Sequence, residues 1–101
     1  MSGAARLFCW LLWLPVAFAQ QDSLLQHYQK AQHAQAARDY PTAIHHYERI
    51  VVLRPDLGEA FANLGALYYE VGERDKANSV LKKALALKPD LAGPWFFLGA
   101  L

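Results

Sequence analysis

Four histidines, His27, His33, His45 and His46, are the side chains of this chain best suited to hold a metal or carry a proton. A metal site on a helix wants two imidazoles one turn apart, at i and i+4, so that both face one ion. No pair among the four has that spacing. His45 and His46 are adjacent and diverge by about 100° on a helix, while His27 and His33 stand six apart and also diverge. No cysteine or carboxylate completes a ligand set, so the histidines read as solvated surface groups and no metal is expected. Ser23 and Ser79 do not lie in the G-x-S-x-G turn that exposes a nucleophile. Gly58, Gly65, Gly72 and Gly99 are spread too widely to form a phosphate-binding loop. Glu70, Glu73 and Asp75 gather near a turn, as solvated acids do. Without a nucleophile beside a base, neither enzymatic activity nor a cofactor is expected.

The elements that must position these residues begin after a leader. In residues 1–19, Arg6 gives a positive start, Leu7–Leu14 an apolar run, Pro15 a break and Ala17-Phe18-Ala19 an A-x-A cleavage pattern. The apolar stretch is shorter than the roughly 20 residues that cross a bilayer as a helix. An exported protein, periplasmic or secreted, is therefore expected, with an uncleaved membrane anchor as the alternative. Cleavage near Ala19 removes Cys9, the one cysteine, together with Arg6. Of ten Lys plus Arg, nine then remain against nine Asp plus Glu. That balance leaves no long-range field to attract nucleic acid, and stability must come from packing without disulfides.

Residues 20–23 are a polar lead. Thereafter the apolar spacing is helical throughout, and no alternation of the strand type appears. A first helix is expected over Leu24–Ala37, with Leu24, Tyr28, Ala31, Ala34 and Ala37 on one face. A second runs over Pro41–Leu53, capped by Asp39, with Ala43, Ile44, Tyr47, Ile50, Val51 and Leu53 inward. A third covers Gly58–Val71, with Phe61, Leu64, Gly65, Leu67 and Tyr68 inward and Gly72 as its C-terminal cap. Asp75 opens a fourth, Lys76–Leu87, whose face is Ala77, Val80, Leu81, Ala84, Leu85 and Leu87. A fifth begins near Ala92, with Pro94 in its first turn.

A 34-residue period relates these helices. Arg54-Pro55-Asp56-Leu57 recurs as Lys88-Pro89-Asp90-Leu91, and Phe61-x-x-Leu64-Gly65-Ala66-Leu67 as Trp95-x-x-Leu98-Gly99-Ala100-Leu101. The pattern resembles the tetratricopeptide repeat family, in which one period forms a pair of helices. Residues 58–91 carry it fully, with Phe61, Leu64, Gly65, Tyr68, Ala77, Leu81, Ala84 and Pro89 at the family's spacings. Gly65 and Ala77 are expected to face each other where the helices cross. Residues 24–57 match less well. Ala43, Tyr47 and Pro55 fit and Ala31 stands in for Gly65, but His27 lies where the aromatic anchor belongs, with Tyr28 beside it. This polar unit suits an end that faces water. Residues 92–101 hold Trp95, Leu98 and Gly99 of a further, partial unit.

The resemblance implies an all-α helix-turn-helix array, an α-solenoid of about two and a half repeats, acting as a scaffold that binds a protein or peptide segment. Its first helices would line a concave groove, which places Gln29, Gln32, Ala62, Asn63, Ala66, Tyr69, Glu70 and Phe96 there. Asn63 could hydrogen-bond a ligand backbone, while Tyr69 and Phe96 offer flat apolar contact. The matched faces lack the lysines and arginines with which one subclass grips a C-terminal carboxylate. The apolar Trp95-Phe96-Phe97-Leu98 is left uncovered, so continuation into further repeats is expected, with self-association through Trp95–Leu101 as a rival. An N-terminal repeat segment of a larger exported protein, whose downstream part carries a separate activity, is the alternative function.

Overall fold

A computed structural model describes residues 23–101. The leader expected over residues 1–19, and residues 20–22 of the polar lead, lie outside the described residues. Five helices follow one another, and no strand occurs among the described residues. Helix α1 covers residues 23–36, so Ser23 already belongs to it. Then come α2 (Tyr40–Leu53), α3 (Gly58–Glu70), α4 (Arg74–Leu87) and α5 (Ala92–Ala100). Helices α2 and α4 begin and end 34 residues apart, and α3 and α5 begin 34 apart.

The helix ends have local causes. Asp39 caps α2, its carboxylate accepting from the Thr42 N–H at 3.4 Å, and Pro41 occupies the first turn. The α3 terminus is a Schellman turn: the Glu73 N–H donates to the Tyr68 carbonyl at 2.9 Å and the Gly72 N–H to that of Tyr69 at 3.1 Å. It requires a left-handed residue, and Gly72 supplies it at φ +81°. The same pair of bonds closes α1, from Asp39 to Ala34 and from Arg38 to Gln35. There Arg38 occupies the left-handed position, at φ 58°. Helix α4 starts two residues earlier than expected. The Schellman turn delivers the chain at Glu73 ready to propagate, and the Glu73 carbonyl accepts from Ala77 at 2.9 Å. Asp75 is therefore not the cap but a first-turn acid, favourable to the helix dipole.

Packing runs between sequence neighbours, α2 with α3, α3 with α4 and α4 with α5, and also between α3 and α5. Helix α1 joins the core through Ala31 and Ala34, with Tyr28 edge-on to Tyr47 at 6.3 Å between ring centroids. Small buried residues on α1 to α4, Ala31, Ala43, Ala60, Ala77 and Ala84, let the backbones approach. Tyr47, Ile50, Leu67 and Leu81 fill the space left, each contributing about 1.5–3 kcal/mol on burial.

The α3–α4 crossing differs from expectation. A Cβ on Gly65 would meet Leu81 Cγ and Cδ2 at 2.5 Å and Val80 Cγ2 at 3.1 Å, all nearer than any atom of Ala77. Gly58 lies against the Lys88 Cβ and the Ala84 carbonyl at the other end. These two points fix an antiparallel register that carries Ala77 toward the C-terminal end of α3, where Lys76 Nζ sits 5.7 Å from the Tyr68 ring. Two expected core positions are exposed, Ala37 in the turn and Leu87 at the end of α4, while Leu24, Tyr28, Ile44, Val51, Leu53, Phe61, Val80 and Leu85 are partly buried. Pro55 and Pro89 sit exposed in the turns, and Ala43, Tyr47, Leu64, Tyr68, Ala77, Leu81 and Ala84 are buried.

Candidate functional site

A cavity of about 320 Å³ opens where α1, the start of α2, α3 and α5 meet. Ala36, Ala66, Leu67 and Phe97 give it apolar walls, Gln35 and Tyr40 add polar groups, and Arg38 and Glu70 add opposite charges. The backbone positions each of these. Arg38 enters the lining from the left-handed position of the turn that closes α1, at φ 58°. The Tyr47 hydroxyl donates to Gln35 Oε1 at 3.4 Å and ties α1 to α2. Phe97 is held from two sides, by Tyr69 at 5.1 Å and Phe96 at 5.3 Å between ring centroids.

Two of the eight groove candidates, Ala66 and Glu70, line this cavity directly. Tyr69 stands behind it, packed on the core and on Phe97. Ala62 and Asn63 are partly buried on α3, and Gln32 is exposed on α1. Gln29 lines a different cavity, of about 520 Å³, between α1 and the N-terminal turns of α2, beside Lys30, His33, Asp39, Thr42 and His46. Phe96 is 69% exposed and leaves the cavity wall to its neighbour Phe97. Trp95 is 61% exposed, with Nε1 donating to the Pro89 carbonyl at 3.2 Å. Leu98 packs against the core, whereas a Cβ on Gly99 would meet nothing within 4 Å. Gly65 is crowded by the helix that follows its own, and among the described residues no helix follows α5.

The lining residues that sequence reasoning missed carry a signal. Gln35, Ala36 and Phe97 stand one period from Tyr69, Glu70 and Asn63, so the repeat applied to the named candidates finds all three. Arg38 and Tyr40 belong to a turn and a helix start, where apolar periodicity says nothing.

The histidines are not all separate. His27 of α1 and His46 of α2 meet with their Nδ1 atoms 2.9 Å apart, and both are partly buried rather than freely solvated. Spacing along a single helix could not reveal a contact between helices. Burial, then the positive charge of Arg49, Lys30 and His45, lowers His27 below the usual histidine range. Burial, then His27, His45 and Lys30, lowers His46. Among the described residues no three His, Cys, Asp or Glu side chains gather as a metal site would need. Elsewhere, burial first and the Glu48 carboxylate second push the Tyr68 hydroxyl up to about 12. Among the described residues no helix is long and apolar enough to cross a membrane.

No protein-family model matches the chain, and no curated protein matches it.

Proposed function

We propose that this chain is a helical-repeat binding module of the tetratricopeptide type, whose groove on α1, α3 and α5 takes an extended or helical segment of another protein. The observation that carries the reading is the composition of the 320 Å³ cavity. Two residues one period apart, Ala36 and Glu70, line it together, and Gln35 lines it one period from Tyr69, which packs on the lining Phe97. Stacked repeats bind in this way, because equivalent positions of successive units line one continuous surface. The apolar walls suit an aliphatic or aromatic side chain, and Gln35, Arg38 and Glu70 suit a peptide's polar groups and charges. Export rests on the pattern in residues 1–19 and puts the partner outside the cytoplasm.

The test is selection from a random peptide library displayed on phage against the immobilised chain. Enriched peptides should bind the parent and lose at least tenfold in affinity on Ala66→Arg or Glu70→Arg, with the helical circular dichroism unchanged. Glu70 is exposed and Ala66 lines the cavity, so these changes perturb the groove with little cost to the core. Tyr69→Ala is a poor probe, since Tyr69 packs on the core. No enrichment, or peptides indifferent to both substitutions, would reject the groove.

A further inference from the structure

The contact between His27 and His46 joins two helices and plays no part in the groove. The Nδ1 atoms are 2.9 Å apart and the ring centroids 5.2 Å. The centroid separation equals the nitrogen distance plus one ring radius on each side. The two nitrogens therefore point at each other along the line joining the rings, as in an N–H···N hydrogen bond, rather than converging on a common third point.

Proton counting gives this bond an unusual property. In the neutral pair one ring carries its proton on Nδ1 and donates, and the other accepts through a bare Nδ1. A first added proton goes to the Nε2 of the donor ring. The bond survives and becomes charge-assisted. A second has only the accepting Nδ1 left. Two N–H groups then face each other across the contact, the bond is lost, and two like charges are pressed together.

The surroundings sharpen the effect. Lys30 and His33 from α1, and His45 and Arg49 from α2, add positive or protonatable groups around the pair. His45 lies with its ring 5.1 Å from that of His46. Asp39 is the one carboxylate among the residues lining the cavity that His46 shares. Apart from the pair, α1 holds to the core through Ala31 and Ala34, through the partly buried Leu24 and Tyr28, and through the Tyr47–Gln35 hydrogen bond.

We propose that His27 and His46 form a proton-sensitive latch that holds α1 against α2 at neutral pH and releases it in mildly acidic surroundings. The direction follows from linkage. Both groups sit below their unfolded value of 6.5, so the unfolded chain binds more protons. The latch's stabilisation is complete above that value and is lost as pH falls below it toward the folded values. Release loosens the helix that carries Gln35 and Ala36.

The test is amide hydrogen exchange of the full chain followed by NMR, corrected for intrinsic rates, from about pH 7.5 to about pH 5, across the ordinary histidine range. The α1 amides of Ala31 and Ala34 should lose protection several-fold on acidification, while those of Leu81 and Ala84 in α4 hold steady. In His27→Gln and in His46→Gln, which keep a polar head but cannot titrate, the α1 loss should disappear. If one variant does not fold, the other decides. Flat α1 protection in the parent, an equal fall in α1 and α4, or a fall that persists in the variants would overturn the latch. No partner is needed, so a failure here is distinct from a failure of the groove.

Discussion

Gly65→Ala adds a single methyl group at the tightest point of the α3–α4 crossing. The new Cβ would lie 2.5 Å from both Cγ and Cδ2 of Leu81. A terminal methyl alone could rotate aside, but Cγ moves only with the whole side chain, and Leu81 is 0% exposed. The strain therefore belongs in the upper part of the overpacking range, about 2–3 kcal/mol. Against this, alanine is favoured over glycine in a helix interior by about 1 kcal/mol. The net loss is about 1–2 kcal/mol, which lowers the melting temperature of a domain this size by about 4–16 °C. Thermal denaturation followed by circular dichroism measures it. The decisive control is the same substitution in a Leu81→Ala background. Leu81→Ala itself costs about 2–5 kcal/mol, but it removes the two atoms at 2.5 Å and leaves only Val80 Cγ2 at 3.1 Å, which the new space lets shift, so Gly65→Ala should then stabilise by up to about 1 kcal/mol through helix propensity. A change of sign between backgrounds is the signature of direct contact. An equal effect in both backgrounds, or stabilisation in the parent, would refute the reasoning.

Two further outcomes follow from the backbone and from a buried hydroxyl. Arg38→Gly should raise the melting temperature, because it relieves the left-handed conformation at φ 58°; the gain is about 0.5–1 kcal/mol once glycine's greater unfolded-state freedom is counted, and an unchanged or lower melting temperature would count against it. Tyr68 is raised from 10.0 to about 12, so the folded state keeps its proton while the unfolded state loses it, and stability should fall as pH rises from 10 toward 12. Tyr68→Phe should reduce that alkaline loss in denaturant titrations, leaving the part due to Tyr28 and Tyr47, which burial also raises; an identical slope in both proteins would place the cause elsewhere.

Sequence carried the helices well because their signals are local. Asp39 at the start of α2, Gly72 at the end of α3 and the prolines in the turns each act within a few residues of where they stand. What the sequence hid depends on how helices meet. That Gly65 opposes Leu81 rather than Ala77 is a matter of antiparallel register, fixed by the fit of Gly58 against Lys88 as well. The His27–His46 contact spans 19 residues and two helices, and neither imidazole announces it. The site was half legible. Ala66 and Glu70 followed from their helix face, and Gln35, Ala36 and Phe97 were one period away from residues already named. Phe96 is exposed and Phe97 forms the cavity wall, and adjacent aromatics on a short apolar helix give no clean face to tell the two apart. Arg38 reached the cavity only through a left-handed turn that its residue type does not advertise.

The groove is tested most directly by mapping a bound peptide onto the folded chain. With a library-selected peptide added to isotope-labelled protein, backbone amide shifts should move at Gln35, Ala36, Ala66, Glu70 and Phe97 and stay still at Lys82, Lys83 and Ala86, which are exposed on α4. Shifts centred on Lys82, Lys83 and Ala86, with the cavity residues silent, would contradict the account.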